Sequence, residues 1–280
     1  MNGYQEKITR IRAHLALEGA AGAVLSTPDN IFYATGFSSV MDGWHLVEPI
    51  AAVFVPTDSA SPVVLILPEA SVISPIVSER GGHPVHFDRL ATFDMLNFCE
   101  TARAEDAHLA LPDDLLAELG DVMEQVEGQC EPDIIQTIAA CVSRHISKAE
   151  RVVFDDLRVA ARVEALTGQA SGDALDVMFA ARAVKTADEL DTLRESGQIA
   201  DAIMAYTVSL LGVGKSWSEV EKQVAHFMID HDVDPLPGSP MLFGGAYDLV
   251  FRPDLFRTPV SRPFEGGEIA ILETQGRYKN

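Results

Sequence analysis

The chain has 280 residues, enough for one large or two ordinary domains, and we expect two because single hydrophobic cores stop growing near this length. Its 42 acidic and 21 basic residues give a net charge of −21, which argues against nucleic-acid and anionic-membrane partners. Three cysteines without C-x-x-C spacing favour neither a disulfide framework nor a zinc knuckle, and no apolar run reaches membrane-spanning length, so we expect a cytoplasmic protein.

The first part of the chain predicts an α/β domain with a mixed sheet. Apolar spacing over 4–18 followed by Gly19 predicts a capped helix, "AGAVLST" a buried strand, "PDN" a turn, and "IFYATGF" an apolar segment closed by Gly36. Two β-branched-rich arms around residues 57–61 predict a hairpin. Further helix patterns over 71–79, 113–127 and 133–148 alternate with short apolar pieces at 84–87, 108–111 and 152–154.

Two capping boxes mark helix starts in the second part, Thr186 with Glu189 and Ser216 with Glu219. The first opens a helix of about 25 residues. Its predicted apolar face comprises Leu190, Leu193, Gly197, Ala200, Met204, Val208 and Leu211. The second opens a shorter helix that ends near His231, and the strands "MLFGGAYDLVF" and "GEIAILET" follow. We therefore predict two domains, 1–183 and 184–280.

Several polar clusters invite a functional interpretation, but ordinary structural roles explain them better. "HPVH" at 83–86 enters a strand, where residues three apart point to opposite faces, so a metal clamp is disfavoured. "DHDVD" at 230–234 lies where a helix frays into a Pro-Gly loop, and solvated polar residues are expected there. We find no G-x-S-x-G, no P-loop and no cysteine with a nearby histidine, so no nucleophile is indicated.

Glu273 is the remaining candidate. It follows the apolar strand residues Ile269–Leu272, and a carboxylate there is costly to bury unless it meets a cation or hydrogen-bond donors. On pattern alone, a functional carboxylate and a solvent-facing strand end are equally good interpretations.

Three motifs in the same order resemble the creatinase, prolidase and aminopeptidase P family of metallohydrolases. "SRPFEGGEIAILETQGRYKN" is similar to the family segment Gly-Asp, four apolar residues, Asp, then Tyr-x-Gly-Tyr, with Glu273 on the first metal-ligand Asp. "STPDNIFYATGF" resembles a stretch of the family's N-terminal domain. The helix-entry motif in "RAVKTADELDTLRESGQIAD" is matched by Arg182, Lys185, Thr186, Glu189 and Arg194.

The resemblance implies a ribonuclease-H-like α/β N-terminal domain followed by a "pita-bread" α+β catalytic domain. In the family, two Asp, one His and two Glu hold two divalent ions (Mn, Co, Fe or Zn), which hydrolyse an amide or related C–N bond. Paired ions lower the pKa of a bridging water and polarise the carbonyl. The resemblance also implies a dipeptide or other small-molecule substrate and a homodimer.

The sequence departs from the family pattern at three points. Glu273 replaces the usual Asp, Arg252 stands where peptidases carry a substrate-contacting His, and the second Asp would fall beyond Asn280. A single carboxylate cannot hold a catalytic ion, because such sites take three or more protein ligands. We therefore expect a pita-bread domain that is incomplete in this chain, no metal bound by the chain alone, and little or no activity.

The parent activity and its rivals remain open at this point. The substitutions at 273 and 252 favour a small amidino or N-acyl compound as the substrate, and Xaa-Pro dipeptides are the next most favoured class. The alternatives are a non-enzymatic binding protein that reuses the scaffold and a dimer partner of a full-length paralogue. In the dimer, His45, with Trp44 beside it, would approach the substrate of the other subunit, so His45 and Arg252 are the candidate substrate-binding residues.

Overall fold

The computed structural model describes residues 3–39, 41–42, 48–95, 112–212, 214–236, 238–245 and 263–278. The chain forms two compact units, Met1–Thr186 and Ala187–Asn280. None of the helices within these ranges combines the length and the apolarity that a membrane span requires.

The first unit is a mixed sheet covered by helices. Its helices are α1 (Gly3–Leu17), α2 (Pro28–Thr35), α3 (Ser74–Arg80), α4 (Asp113–Met123), α5 (Ile134–His145), α6 (Leu157–Thr167) and α7 (Leu175–Ala183). Its strands are β1 (Gly22–Leu25), β2 (Ala52–Pro56), β3 (Val64–Pro68), β4 (Arg89–Phe93), β5 (Val152–Phe154) and β6 (Ser171–Asp173). A short 3-10 turn, Glu69–Ser71, precedes α3.

The strand order is β4-β3-β2-β1-β5-β6. Strand β2 is antiparallel to both of its neighbours, β1 and β3, and the pairs β3-β4, β1-β5 and β5-β6 are parallel. Alternate residues point to opposite faces, so Val53 and Val55 enter the core beside α1, α2 and α7, whereas Ala52 and Phe54 enter the core beside α5 and α6. Because both faces are covered, β1, β2 and β3 are buried throughout. The predicted mixed sheet and its hairpin are confirmed.

Two local predictions for this unit were wrong. "PDN" is not a turn but the start of α2, because Pro28 presets a helical φ and lacks the N–H that a first-turn residue leaves unused. Gly36 ends that helix with φ of 76°. The apolar piece at 84–87 contains no strand, and β4 begins at Arg89 instead. The piece at 108–111 lies outside the described residues.

The described part of the second unit contains two helices and two short ladders. Helices α8 (Ala187–Leu210) and α9 (Trp217–Ile229) are followed by β7 (Val233–Pro235), β8 (Met241–Gly245), β9 (Ile269–Glu273) and β10 (Gly276–Tyr278). Strand β8 pairs with β9, and β7 pairs with β10, both antiparallel. The capping box of Ser216 and Glu219 at the start of α9 is present in full, as predicted.

Helix α8 has the predicted length but buries a different face. Leu193 and Val208, both on the predicted apolar face, are 54% and 61% exposed. The residues that α8 buries are Ile203, Thr207 and Leu210, which pack with α9 in the core of this unit. The helix carries two apolar stripes, and the spacing of apolar residues cannot tell which stripe meets a neighbour.

Candidate functional site

Glu273, the predicted first metal ligand, is the last residue of β9 and stands opposite Met241 of β8. Its side chain is exposed, and Gln275 donates an Nε2 hydrogen bond of 3.1 Å to its Oε1. The strand therefore presents the carboxylate to solvent at the end of the ladder.

Backbone contacts on both sides of β9 fix the position of Glu273. Before the strand, the Phe264 N–H donates to the Lys215 carbonyl at 2.8 Å, and its ring lies 4.2 Å from that of Trp217. After the strand, the Gln275 N–H donates to the Ser239 hydroxyl at 2.7 Å. The segment that carries Glu273 is thus attached to the rest of the second unit at two points.

A second carboxylate, Glu221 of α9, contacts the same ladder. Its Oε1 accepts the Leu242 N–H at 2.9 Å, and Leu242 stands opposite Leu272, the neighbour of Glu273. Burial raises the pKa of Glu221 above its ordinary value, because removal from water penalises the charged form. Glu221 therefore secures the edge of β8, and its charge opposes folding.

The described residues around Glu273 do not fit a two-metal centre. Glu273 belongs to no group of three or more His, Cys, Asp or Glu side chains in the part of the chain that the structure describes. A divalent ion requires three or more protein ligands, so this carboxylate alone would not retain one. Arg252 and His45, the two predicted substrate-binding residues, lie outside the described residues.

One histidine of each cluster noted in the sequence packs against an aromatic ring. The His86 ring stacks on Tyr4 with centroids 4.5 Å apart, and burial lowers its pKa. His231 places Nδ1 2.8 Å from the Phe227 carbonyl and packs its ring against the Phe227 ring. Neither histidine joins a potential metal group among the described residues.

Asp155 is a hydrogen-bond hub that the sequence analysis missed. It follows β5, and its carboxylate accepts from both the backbone and the hydroxyl of Ser26 and of Thr27, and from the Asn30 amide, at 2.6–3.1 Å. Parallel β1 and β5 end side by side, which brings these residues together. The carboxylate also faces the N-terminus of α2, where negative charge is favourable. Asp155 therefore joins β1, α2 and β5. The signal available in the sequence was a pair of apolar strands, one followed by Ser-Thr and the other by Asp-Asp.

A second missed group consists of Glu127, Cys141 and His145, whose ligand atoms all lie within 4.8 Å of one another. His145 Nε2 lies 2.9 and 3.1 Å from the two Glu127 oxygens, and Arg144 Nη1 donates to Glu127 Oε1 at 2.8 Å. The statement that no cysteine has a nearby histidine was therefore wrong. Cys141 and His145 are four residues apart within a predicted helix, and that spacing was the available signal.

No protein-family sequence model and no curated protein sequence matches the chain. Solved structures match it in fold. A prolidase from Thermococcus sibiricus gives a TM-score of 0.62 at 16% identity, over 100% of this chain and 63% of that protein. Dipeptidase PepE from Mycobacterium ulcerans gives 0.62 at 17% identity, over 99% and 61%. A prolidase from Pyrococcus horikoshii gives 0.63 at 11% identity, over 98% and 61%.

The chain thus spans 61–63% of the length of these structures. At such low identity the likeness concerns the fold, and it extends over both units because nearly all of this chain is matched. The predicted fold class is confirmed: the chain has the prolidase fold, with an α/β N-terminal domain followed by part of an α+β pita-bread domain.

Proposed function

We propose that the chain belongs to the creatinase, prolidase and aminopeptidase P family of metal-dependent hydrolases, which cleave amide or related C–N bonds. The observation that carries this proposal is the match of nearly the whole chain to prolidase structures at TM-scores of 0.62–0.63. The order of the three sequence motifs supports it independently of the fold.

The position of Glu273 supports the same assignment. The family pattern places its first metal ligand after four apolar strand residues, and Glu273 ends β9 opposite Met241. A carboxylate at the end of β9 is consistent with this pattern. Among the described residues, Glu273 has no further His, Cys, Asp or Glu side chains placed to share a metal ion with it.

The proposed substrate is a dipeptide or another small compound with a C–N bond. The named similar structures are prolidases and dipeptidases, which favours Xaa-Pro dipeptides. Glu273 in place of Asp and Arg252 in place of His favour a small amidino or N-acyl compound instead. Creatine and N-acetyl-diaminobutyrate, assayed beside Xaa-Pro dipeptides on a form of the protein that carries the full ligand set, separate these substrate classes.

We expect these 280 residues to show no hydrolysis on their own, because Glu273 cannot hold two metal ions without further ligands. The test is turnover of the purified chain with Mn²⁺, Co²⁺, Fe²⁺ or Zn²⁺. Reading the DNA downstream of codon 280 is the complementary test. In-frame Asp, His and two Glu codons at the family spacing would support the family assignment, and their absence would count against it.

One observation favours a second candidate function, a binding protein that reuses the scaffold. Helix α8 exposes four large apolar side chains: Leu190, Leu193, Met204 and Val208. Exposed apolar surface is a feature of protein interaction sites. A second copy of the chain is the first partner to test, by light scattering of the wild type and of a Leu193→Glu variant. A dimer that Leu193→Glu dissociates would support this function, and a monomeric wild type would exclude self-association through α8.

A further inference from the structure

The group of Glu127, Cys141 and His145 is arranged by the fold rather than by chance surface proximity. Cys141 and His145 lie one turn apart on α5, so their side chains share a face of that helix. Glu127 precedes α5, and its N–H donates to the Leu90 carbonyl at 2.7 Å, which ties it to β4. Two separately anchored elements of the first unit therefore deliver the three side chains.

The environment of the group is shielded but reachable. Cys141 has no exposed surface, and the side chains of Glu127 and His145 are each 14% exposed. His145 also lines an open cleft of about 740 Å³ together with Glu150 and Arg151. The imidazole of His145 is thus the member of the group that borders a cleft.

We propose that Glu127, Cys141 and His145 bind one divalent transition-metal ion of the Zn²⁺ type in the first unit. Their donor atoms, which all lie within 4.8 Å of one another, need only small movements to reach the separations of about 3.3–3.6 Å expected between ligands of a tetrahedral zinc ion. In this arrangement Cys141 supplies Sγ, His145 supplies Nε2 and Glu127 supplies one oxygen, with water as the fourth ligand.

The ligand types select the class of metal. A thiolate and an imidazole suit Zn²⁺ and Co²⁺, whereas Mg²⁺ and Ca²⁺ prefer sites made only of oxygen. The thiolate and the carboxylate together carry two negative charges, so that with the Arg144 guanidinium the ligand group has a net charge of about −1 and attracts a divalent ion. Arg144, whose guanidinium already holds Glu127 Oε1, keeps that carboxylate oriented and leaves its second oxygen for the metal.

Binding exchanges protons and water in defined amounts. The Cys141 thiol releases its proton to solvent. The Nε2 proton of His145, which faces the Glu127 carboxylate, moves to Nδ1 through solvent so that the Nε2 lone pair can bind the ion, and the aqua ion loses waters to the three protein ligands.

The test is titration of the reduced 280-residue chain with Co²⁺. We expect one ion per chain and a thiolate-to-cobalt charge-transfer band in the near ultraviolet. Cys141→Ser should abolish the band, and His145→Gln should weaken binding by at least about tenfold, since even the partners of metal ligands contribute that much. Cys130→Ser, which changes an exposed cysteine, is the matched control and should retain the band.

Three results would overturn the proposal: no charge-transfer band in the wild type, a band that persists in Cys141→Ser, or a band that Cys130→Ser removes. The absence of a band in the wild type would overturn the proposal even if a variant does not fold. Zn²⁺ should also raise the Tm of the wild type and of Cys130→Ser but not that of Cys141→Ser. Glu273→Gln should leave all these values unchanged, so the outcome does not depend on the proposed hydrolase function.

Discussion

Replacement of Asp155 by Ala tests the account of the first unit most sharply. The substitution leaves five donors without their acceptor, from the backbone and hydroxyl groups of Ser26 and Thr27 and from the Asn30 amide. A hydrogen bond to a charged group contributes roughly 1.5–3 kcal/mol, but the five share one carboxylate and water can reach part of the site. We therefore expect a loss of about 3 kcal/mol, or roughly 6–12 °C in Tm.

The neighbouring residue provides a matched control. Asp156 caps α6 by accepting the Arg158 N–H at 2.8 Å, so Asp156→Ala should cost about 1 kcal/mol. Urea unfolding followed by far-ultraviolet circular dichroism measures both variants. If Asp155→Ala costs no more than Asp156→Ala, the hub does not join β1, α2 and β5 as described.

Three further predictions concern the second unit. Gly276→Ala should destabilise the second unit by about 1–3 kcal/mol, because a Cβ at this position would clash with the Val233 side chain of β7. Gly266→Ala is the control and should be tolerated, because a Cβ there meets open space. Equal losses of stability in urea unfolding would contradict the packing of β10. Ile203→Ala should cost about 2–4 kcal/mol and Leu193→Ala less than about 0.5 kcal/mol, and the reverse order in thermal unfolding would show that α8 buries the other stripe. The folded-state pKa of Glu221 is raised, so its protonated carboxyl group stabilises the fold at low pH and this contribution is lost as the pH rises. Glu221→Gln should therefore gain stability relative to the wild type between pH 4 and 8. A stability difference that does not change with pH would contradict this expectation.

Much of the first unit could be predicted from its sequence because its signals are local. The hairpin of β2 and β3 and the helix α1 with its Gly19 cap depend on neighbouring residues, and both are present. The start of α2 was missed because proline is as typical of a turn as of a first helical turn. The choice depends on the Asp155 carboxylate, more than 120 residues away along the chain, which receives the N–H groups at the start of α2.

In the candidate sites, too, features that depend on neighbouring residues could be predicted, whereas features that depend on contacts between distant parts of the chain could not. Glu273 could be placed at a strand end because four apolar residues precede it, and β9 does end there. The group around Cys141 could not be recognised in full, because Glu127 lies 14 residues before that cysteine and reaches it only through its attachment to β4. The buried face of α8 also depends on a partner, α9, that periodicity does not identify.

The most direct test of the central claim is metal stoichiometry and dipeptide hydrolysis measured together on the purified chain. The Cys141→Ser background removes the proposed zinc-type site, so any remaining Mn²⁺ or Co²⁺ reports on Glu273. We expect this variant to bind no pair of metal ions and to leave Xaa-Pro dipeptides intact. Two ions per chain, with hydrolysis that Glu273→Ala abolishes, would contradict it.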